Sequence, residues 1–230
     1  MPVHKALLER LEVRPGERVL DVATGTGEVA LRAARLGANV TGLDLAPALL
    51  EQARVKADRQ SLEVEWVEGN AEALPFDDGS FDVICSCFGV IFADAERAAR
   101  ELGRVCRSGG RLGLTAWQPN AGLHRIYRKY EARDDPPERW GEQSRLQELL
   151  GADFELRIEE RVWTLEGDTP EDVWELMTTA APPVKAFVQK LGPEQLAAFR
   201  AEMLEHWRGF EQDGRVVEPR GYLLVSGQRR

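Results

Sequence analysis

The sequence predicts an α/β fold, a doubly wound and mostly parallel sheet of seven strands with helical cap insertions in its second half. Short apolar runs alternate with amphipathic stretches through the first half, as in chains that join parallel strands by helices. Polar residues follow directly after several of these runs. After Trp117 the alternation breaks and helical patterns predominate. Because ligands of such sheets bind beyond the carboxyl ends of the strands, we expect a binding site at those polar residues.

The regular alternation fills the first half of the chain. A leading helix over 1–11 comes before it. We predict strands at 19–22, 38–43, 62–67, 81–87 and 111–116, and helices at 28–36, 47–58 and 95–106. Pro47 fits the first turn of its helix, where its missing N–H costs no hydrogen bond, and Asp94 is placed to cap the next helix.

The second half is interpreted as two insertions between the remaining strands. Ser144-x-x-Gln147 has the spacing of a capping box at a helix start. The other predicted elements are the end of that helix near Gly151, a strand over 154–165, helices that begin at Pro170 and Pro193, and a strand over 220–227. We expect a single domain over 1–230, in which the insertions 118–143 and 168–213 form a cap.

Composition and charge narrow the class of protein. The chain has 230 residues, with 30 Lys and Arg against 39 Asp and Glu, and a net charge of -9. This balance disfavours a broad nucleic-acid surface, which needs stripes of basic residues. The start of the chain is polar, unlike the apolar core of a signal peptide, and no apolar run reaches the length of a membrane span. We expect a cytoplasmic protein with neither nucleic-acid nor membrane partners.

The three cysteines predict neither a disulfide nor a metal site. Cys85 and Cys87 lie in an apolar run, and Cys106 lies at the end of a predicted helix. Free, buried thiols in a reducing compartment are expected at such positions. The Cys-x-Cys pair has no Cys or His partner at a spacing suited to zinc, so we expect no metal.

The stretch Val19–Ala30 organises the chain. An apolar strand ends with Asp21 and Val22, a glycine-rich turn follows over 23–27, and a helix begins at Glu28. Glycine allows the backbone to come close to a ligand, and the start of a helix offers unpaired N–H groups. These features outline a nucleotide site.

Two nucleotides fit this outline. Gly25-x-Gly27-x-x-Ala30 matches the dinucleotide fingerprint, with Asp44 following to bind a ribose hydroxyl. Asp21 argues against a dinucleotide, because its carboxylate would repel a pyrophosphate. S-adenosylmethionine has no phosphate and carries an ammonium and a sulfonium, which a nearby carboxylate favours. The spacing therefore suits S-adenosylmethionine better.

Four stretches in order resemble the class I S-adenosylmethionine-dependent methyltransferases. They are 21–27, 42–45, 68–76 and 104–111, which read DVATGTG, GLDL, EGNAEALPF and RVCRSGGR. Together they look most like the branch of ubiquinone/menaquinone-biosynthesis methyltransferases. The resemblance implies a Rossmann-like methyltransferase fold, S-adenosylmethionine as cofactor, methyl transfer as activity, and residues 15–117 as the cofactor-binding core.

The resemblance also implies roles along the cofactor. The predicted cofactor-binding residues are Asp21, Ala23, Thr24, Gly25, Gly27, Asp44, Leu45, Asn70, Ala71 and Cys87. Asp44 would bind both ribose hydroxyls, because one carboxylate has two oxygens placed for a diol. Leu45 and Leu74 would flank the adenine. Asn70 and the Ala71 N–H would read the adenine edge, although the family commonly has an Asp where this chain has Asn70.

The methionine end of the cofactor is expected beside Gly25 and Gly27, with its ammonium near the carbonyls of Ala23 and Cys87. Methyl transfer is an in-line displacement that releases a neutral thioether, so alignment can supply most of the catalysis. A general base matters only when the acceptor is a hydroxyl or a carbon acid. His124, just beyond a predicted strand end, is the candidate for that base.

We expect a small, partly apolar methyl acceptor. Trp117, Tyr127 and Trp140 are candidates to line its pocket, and His206 is a second candidate base. Two alternatives to a methyltransferase stay open. One is an NAD-type dinucleotide oxidoreductase, and the other is a protein that binds the cofactor without turnover.

Overall fold

The computed structural model of the protein describes residues 3–130 and 140–230. Its strands are β1 (Arg18–Val22), β2 (Asn39–Asp44), β3 (Glu65–Glu68), β4 (Phe81–Cys87), β5 (Cys106–Trp117), β6 (Phe154–Gly167), β7 (Glu211–Gln212) and β8 (Arg215–Arg229). Its helices are α1 (Val3–Leu11), α2 (Glu28–Arg35), α3 (Pro47–Arg59), α4 (Ala95–Val105), α5 (Ala121–Tyr127), α6 (Gln143–Leu150), α7 (Pro170–Ala180), α8 (Pro182–Val188) and α9 (Pro193–Arg208). A 3-10 turn over Val90–Phe92 follows β4.

The strands form one sheet in the order β3-β2-β1-β4-β5-β8-β6, and the short β7 pairs with β8 outside this order. The first five strands pair in parallel, whereas β8 is antiparallel to β5. β1 lies between β2 and β4, where the order of the strands reverses, and ligands bind at such a switch point. The predicted seven-stranded, mostly parallel and doubly wound sheet is confirmed.

Local sequence explains where several helices begin. The Asp94 side chain accepts a hydrogen bond from a first-turn N–H group and caps α4, as predicted, and the Thr169 side chain caps α7 in the same way. The capping box predicted at Ser144 is wrong. Helix α6 already begins at Gln143, and its N-cap residue Glu142 makes no side-chain capping bond.

Other features also differ from the sequence prediction, among them the start of β8 at Arg215 rather than at position 220. β3 begins at Glu65 rather than at position 62, because the pairing with β2 starts only at Thr41 and Glu65. β5 begins at Cys106, five positions earlier than expected. Helix α5 is not among the predicted elements, although the Asn120 side chain accepts hydrogen bonds from two N–H groups of its first turn.

The chain divides into two compact units. Unit 1 comprises Met1–Gln118, Pro137–Arg161 and Tyr222–Arg230, and unit 2 comprises Pro119–Pro136 and Val162–Gly221. Unit 2 thus contains all of 168–213 and much of 118–143. The role of these two insertions as a cap stays a prediction.

The two units have separate apolar cores. In unit 1 the small residues along one face of α4 are buried, and Trp140, only 2% exposed, belongs to the same core. In unit 2 the core gathers around Phe199, and Tyr127 packs against Phe187 and Phe199. Trp140 and Tyr127 therefore serve as packing residues in their own units.

A fully buried carboxylate lies in unit 2. Glu218 Oε1 is 2.9 Å from His206 Nε2, while Oε2 accepts hydrogen bonds from Trp207 Nε1 at 3.1 Å and Arg220 Nη2 at 2.7 Å. Burial acts to raise the pKa of Glu218, but His206 and Arg220 bring it below its usual value. His206 is therefore engaged in a satisfied buried cluster.

In the two described ranges, no helix has both the length and the apolar character needed to cross a bilayer. Nor do these ranges contain three or more His, Cys, Asp or Glu side chains grouped so that they could hold a metal ion. Cys85, Cys87 and Cys106 are free thiols. Burial raises the pKa of Cys87 to about 12 and that of Cys106 to about 11, so both stay protonated at neutral pH.

Candidate functional site

Asp21, near the carboxyl end of β1, fixes the glycine-rich turn. It is 1% exposed, and its Oδ2 accepts hydrogen bonds from the Thr24 hydroxyl at 2.5 Å and from the Ala30 N–H at 3.1 Å. Ala30 lies in the first turn of α2, whose N-cap residue Gly27 has no side chain. Asp21 therefore supplies from the strand the helix cap that Gly27 cannot provide.

The environment of Asp21 favours a positive charge nearby. Burial raises the pKa of Asp21 to about 7, although the Thr24 and Ala30 hydrogen bonds act in the opposite direction. Its other oxygen, Oδ1, lies 3.8 Å from the Cys85 sulfur. A cationic ligand would favour the ionised carboxylate even without touching it. Direct contact between Asp21 and a cofactor stays a prediction.

The turn itself depends on two glycines. Gly25 and Gly27 have φ values of +58° and +84°, which favour glycine. A Cβ on Gly27 would also lie 2.7 Å from the Trp66 ring, so the turn can lie against β3 only with glycine there. Lys56 of α3 donates a hydrogen bond to the Thr26 hydroxyl at 2.8 Å. The turn therefore contacts both β3 and α3.

Asp44, the last residue of β2, comes next to this turn. It is 8% exposed, and its Oδ2 accepts a hydrogen bond from the Gly25 N–H at 2.7 Å. Its Oδ1 accepts one from the Ala46 N–H at 2.9 Å. A carboxylate oxygen can accept two hydrogen bonds, so each oxygen keeps capacity for a hydroxyl donor. The arrangement suits the predicted ribose contact.

Of the residues expected around the adenine, two are exposed and two are buried. Asn70 is exposed, and its Oδ1 accepts a hydrogen bond from the Glu72 N–H at 2.9 Å. Its amide nitrogen makes no hydrogen bond to the described part of the chain and can donate to a ligand. Leu45 is 68% exposed, whereas Ala71 and Leu74 are buried. Because Leu74 packs in the core, Leu45 is the better placed of the two leucines to cover a base.

The loops after β1 and β4 lie side by side. A Cβ on Gly89 would come within 2.6 Å of the Ala23 carbonyl oxygen, so glycine permits this close approach. The buried Ser86 hydroxyl donates to the Val22 carbonyl at 2.7 Å. The structure therefore brings Ala23 next to the loop that follows Cys87, while the contacts of these two residues with an ammonium stay predictions.

An aromatic cluster lies where β4 and β5 end. Phe88, with φ at +57°, stacks on Trp117 at a centroid distance of 3.8 Å and an interplanar angle of 3°. Tyr222 of β8 packs edge-on against Phe88 at 5.7 Å. The Phe88 N–H donates to the Thr115 hydroxyl at 3.0 Å, which holds the strained residue in place. Trp117 was predicted to line an acceptor pocket, and the structure adds Phe88 and Tyr222 beside it.

The structure does not establish any of the three histidines as a catalytic base. His124 belongs to α5, but its side chain lies outside what the structure describes, so its catalytic role stays a prediction. His4 of α1 is held neutral, because burial and the nearby Arg32 lower its pKa.

Sequence reasoning missed the residues that support the site. Trp66 lies under the turn, Ser86 joins β1 to β4, and Phe88 begins the aromatic cluster. Gly42 within β2 is a signal in the sequence for a bulky residue packed against the strand. In the structure the Trp66 ring approaches Gly42 as well as Gly27. The positive φ of Phe88 has no signal in the sequence.

The comparison with family models matches residues 19–110 to a methyltransferase domain. This range contains the glycine-rich turn, Asp44, Asn70 and Cys87. It agrees with the family resemblance that the motifs indicated.

Curated relatives are similar to part of this chain. An uncharacterized protein of Mycobacterium tuberculosis is 41% identical over 158 residues, which are 65% of this chain and 58% of that protein. The demethylmenaquinone methyltransferase of Thermus thermophilus is 45% identical over 128 residues, which are 54% of this chain and 58% of that protein. The matches thus span less than two thirds of the length of either relative.

Solved structures confirm the fold over the whole chain. The YcgJ protein of Bacillus subtilis aligns with a TM-score of 0.69 at 22% identity and covers 99% of this chain and 97% of its own. At this identity the similarity concerns the fold alone.

The buried carboxyl of Asp21 makes stability depend on pH. Its pKa is about 7 in the folded protein against 3.8 for an ordinary Asp, so the folded state holds more protons between these values. Its contribution to the free energy of unfolding therefore grows as the pH falls from about 7 towards 4, by at most about 1.4 kcal/mol per pH unit. Asp21→Asn keeps an acceptor for Thr24 and Ala30 but does not titrate. We expect the wild-type free energy minus that of Asp21→Asn to increase from pH 7.5 to pH 5 in urea unfolding.

Asp82→Asn is the matched control. Burial acts to raise the pKa of Asp82, but ion pairs with Arg18 and Arg107 hold it well below its usual range. Asp82 is therefore ionised in the folded and the unfolded state between pH 7.5 and pH 5. The wild-type free energy of unfolding minus that of Asp82→Asn should stay constant over this range. A flat difference for Asp21→Asn as well would contradict the raised pKa.

Proposed function

We propose that this chain, whose residues 19–110 match a methyltransferase domain, is a class I S-adenosylmethionine-dependent methyltransferase that transfers the cofactor's methyl group to a small-molecule acceptor. The observation that carries the proposal is the position of Asp44. Its carboxylate is held beside the glycine-rich turn by the Gly25 N–H and keeps free lone pairs for the two hydroxyls of a ribose.

The other strand ends suit the remaining parts of the cofactor. Leu45 offers an exposed apolar face for the adenine, and Asn70 and Ala71 offer an amide and a backbone N–H for its edge. The carbonyls of Ala23 and Cys87 belong to adjoining loops and can accept from the ammonium. Burial raises the pKa of Asp21 to about 7, and the cofactor's positive charges would favour its ionised form.

The catalytic requirement is mainly one of alignment. When bound, S-adenosylmethionine supplies an electrophilic methyl group whose sulfonium leaves as a neutral thioether, so the protein need not protonate a leaving group. The residues of the strand ends would hold the methyl carbon in line with the acceptor nucleophile. For an acceptor that loses a proton, His124 stays the proposed base.

The structure weakens the dinucleotide alternative in a second way. A dinucleotide site offers backbone N–H groups of the glycine turn to a pyrophosphate. Here the Gly25 N–H is already bonded to the Asp44 carboxylate, and Asp21 lies buried behind the turn. Two carboxylates around the turn disfavour a doubly charged pyrophosphate.

The acceptor is proposed to be a small, partly apolar molecule that packs against the aromatic cluster of Phe88, Trp117 and Tyr222. This cluster follows the carboxyl ends of β4 and β5, where the order of loops would place the cofactor's methionine end. Sites for such ligands are largely apolar with a few polar groups. The name of the Thermus relative, a demethylmenaquinone methyltransferase, is in keeping with a small-molecule acceptor.

We propose in addition that residues 168–213 contribute to the choice of acceptor. Their helices form a core of their own in unit 2, which a plain connection between two strands does not need. Replacement of 168–213 by a short loop should leave cofactor binding intact and abolish acceptor turnover. Full turnover by a folded variant of this kind would contradict the proposal.

Calorimetry with three ligands tests the proposed function. We expect S-adenosylmethionine and S-adenosylhomocysteine to bind with one site per chain, and NAD to give no heat. A screen of small acceptors, with release of S-adenosylhomocysteine as readout, then separates an enzyme from a protein that only binds the cofactor. Binding of NAD without binding of S-adenosylhomocysteine would overturn the proposal.

Asp44→Ala tests the ribose contact. Each charge-assisted hydrogen bond lost should cost about 1.5–3 kcal/mol, so the dissociation constant for S-adenosylhomocysteine should rise roughly ten- to a hundredfold or more. Glu65→Ala is the control, since Glu65 lies on the neighbouring β3 and bonds only the Thr41 hydroxyl among the described residues. Circular dichroism checks that both variants fold. An unchanged dissociation constant in folded Asp44→Ala would remove Asp44 from the site.

A further inference from the structure

The loop after β3 carries the residues proposed to read the adenine, and few of its side chains are buried. It leaves β3 through Gly69, whose N–H donates to the Asp44 carbonyl at 3.0 Å. Between residues 69 and 79 the buried positions are Ala71 and Leu74. A surface segment with so few buried side chains needs other contacts to keep one conformation.

Arg104 of α4 supplies such contacts. Its Nη1 donates to the Phe76 carbonyl at 2.7 Å and to Asp78 Oδ1 at 2.9 Å. Its Nη2 donates to the Leu74 carbonyl at 2.9 Å and to Glu101 Oε2 at 2.7 Å. Its Nε donates to Glu101 Oε1 at 2.7 Å. All five N–H bonds of the guanidinium are therefore used, three on the loop and two on Glu101.

Glu101 completes the attachment. Its two oxygens receive the Arg104 guanidinium side-on, the geometry that makes such pairs strong and directional. Glu101 Oε2 also accepts the Leu74 N–H at 2.7 Å, so both backbone groups of Leu74 are held by this pair. The Arg104 carbonyl in turn accepts the Gly79 N–H at 2.9 Å, at the far end of the loop.

We propose that Arg104, oriented by Glu101, is a positioning residue for adenine recognition. It holds residues 69–79 in the conformation in which Asn70 and the Ala71 N–H are presented to the base. The inference rests on the proposed function, because it needs an adenine to be read. A loop ordered before binding does not lose its freedom on binding, so the affinity and selectivity for the base depend on this attachment.

Two ligands that differ only in the base test the role. S-inosylhomocysteine replaces the adenine amine of S-adenosylhomocysteine by a carbonyl. We expect the wild type to prefer S-adenosylhomocysteine. Arg104→Met keeps the apolar stem but loses all five donors, so it should bind S-adenosylhomocysteine about tenfold more weakly and bring the two dissociation constants together. Arg104→Lys retains the charge without the planar guanidinium. Its affinity for S-adenosylhomocysteine should lie between those of the wild type and Arg104→Met.

Arg107→Met is the matched control. Arg107 lies three residues further on and donates to Asp82 Oδ1 at 2.6 Å, at the amino end of β4. Its removal should leave both dissociation constants unchanged. If Arg104 serves only the stability of the fold, Arg104→Met will lower the melting temperature and leave the ratio of the two constants at its wild-type value. That result would overturn the proposal.

Amide hydrogen exchange without ligand separates failure of the loop from failure of the site. Residues 69–79 should exchange faster in Arg104→Met than in the wild type and in Arg107→Met. If the wild type binds neither ligand, the proposed function and the adenine role fall together. Binding by the wild type with unchanged exchange in Arg104→Met would overturn the positioning role alone.

Discussion

The Asp21 carboxylate joins β1, the glycine-rich turn and the start of α2 through the hydrogen bonds of one oxygen. Gly27 is needed for its positive φ and for the approach of Trp66, and so it cannot also cap α2. Loss of the Asp21 acceptor would leave a helix N–H and the Thr24 hydroxyl unpaired in the interior, at a cost of roughly 1–3 kcal/mol each. The same burial raises the pKa of Asp21 to about 7, so a cationic ligand nearby would favour the ionised carboxylate that shapes the turn.

From this turn, hydrogen bonds lead outward to the other parts of the site. The Gly25 N–H fixes the Asp44 carboxylate, and the Asp44 carbonyl receives the Gly69 N–H at the start of the next loop. Arg104 holds the far half of that loop. The groups proposed to bind ribose and adenine are therefore positioned by one connected set of hydrogen bonds, which explains how exposed residues such as Asn70 can keep a defined place.

The sequence predicted the sheet well because β/α alternation and polar strand ends depend on local patterns. The positions of Asp44 at a strand end and of the glycine-rich turn are predicted for the same reason, while their contacts with a cofactor stay predictions. The sequence does not predict that Asp21 caps α2, since the hydrogen bond from the Ala30 N–H spans nine residues and depends on the path of the turn. Trp66, Phe88 and Arg104 escaped notice because each acts on a segment distant in sequence. The capping box at Ser144 failed because α6 begins one residue earlier, at Gln143, so Ser144 lies inside the helix.

A crystal structure with S-adenosylhomocysteine bound tests the central claim most directly. The account predicts both ribose hydroxyls within about 2.5–3.2 Å of the Asp44 carboxylate oxygens, with the Asp21 bond to the Ala30 N–H retained. It also predicts the adenine between Leu45 and the loop that carries Asn70. A nucleoside bound away from Asp44, or a site that opens only when the Asp21 cap breaks, would contradict it.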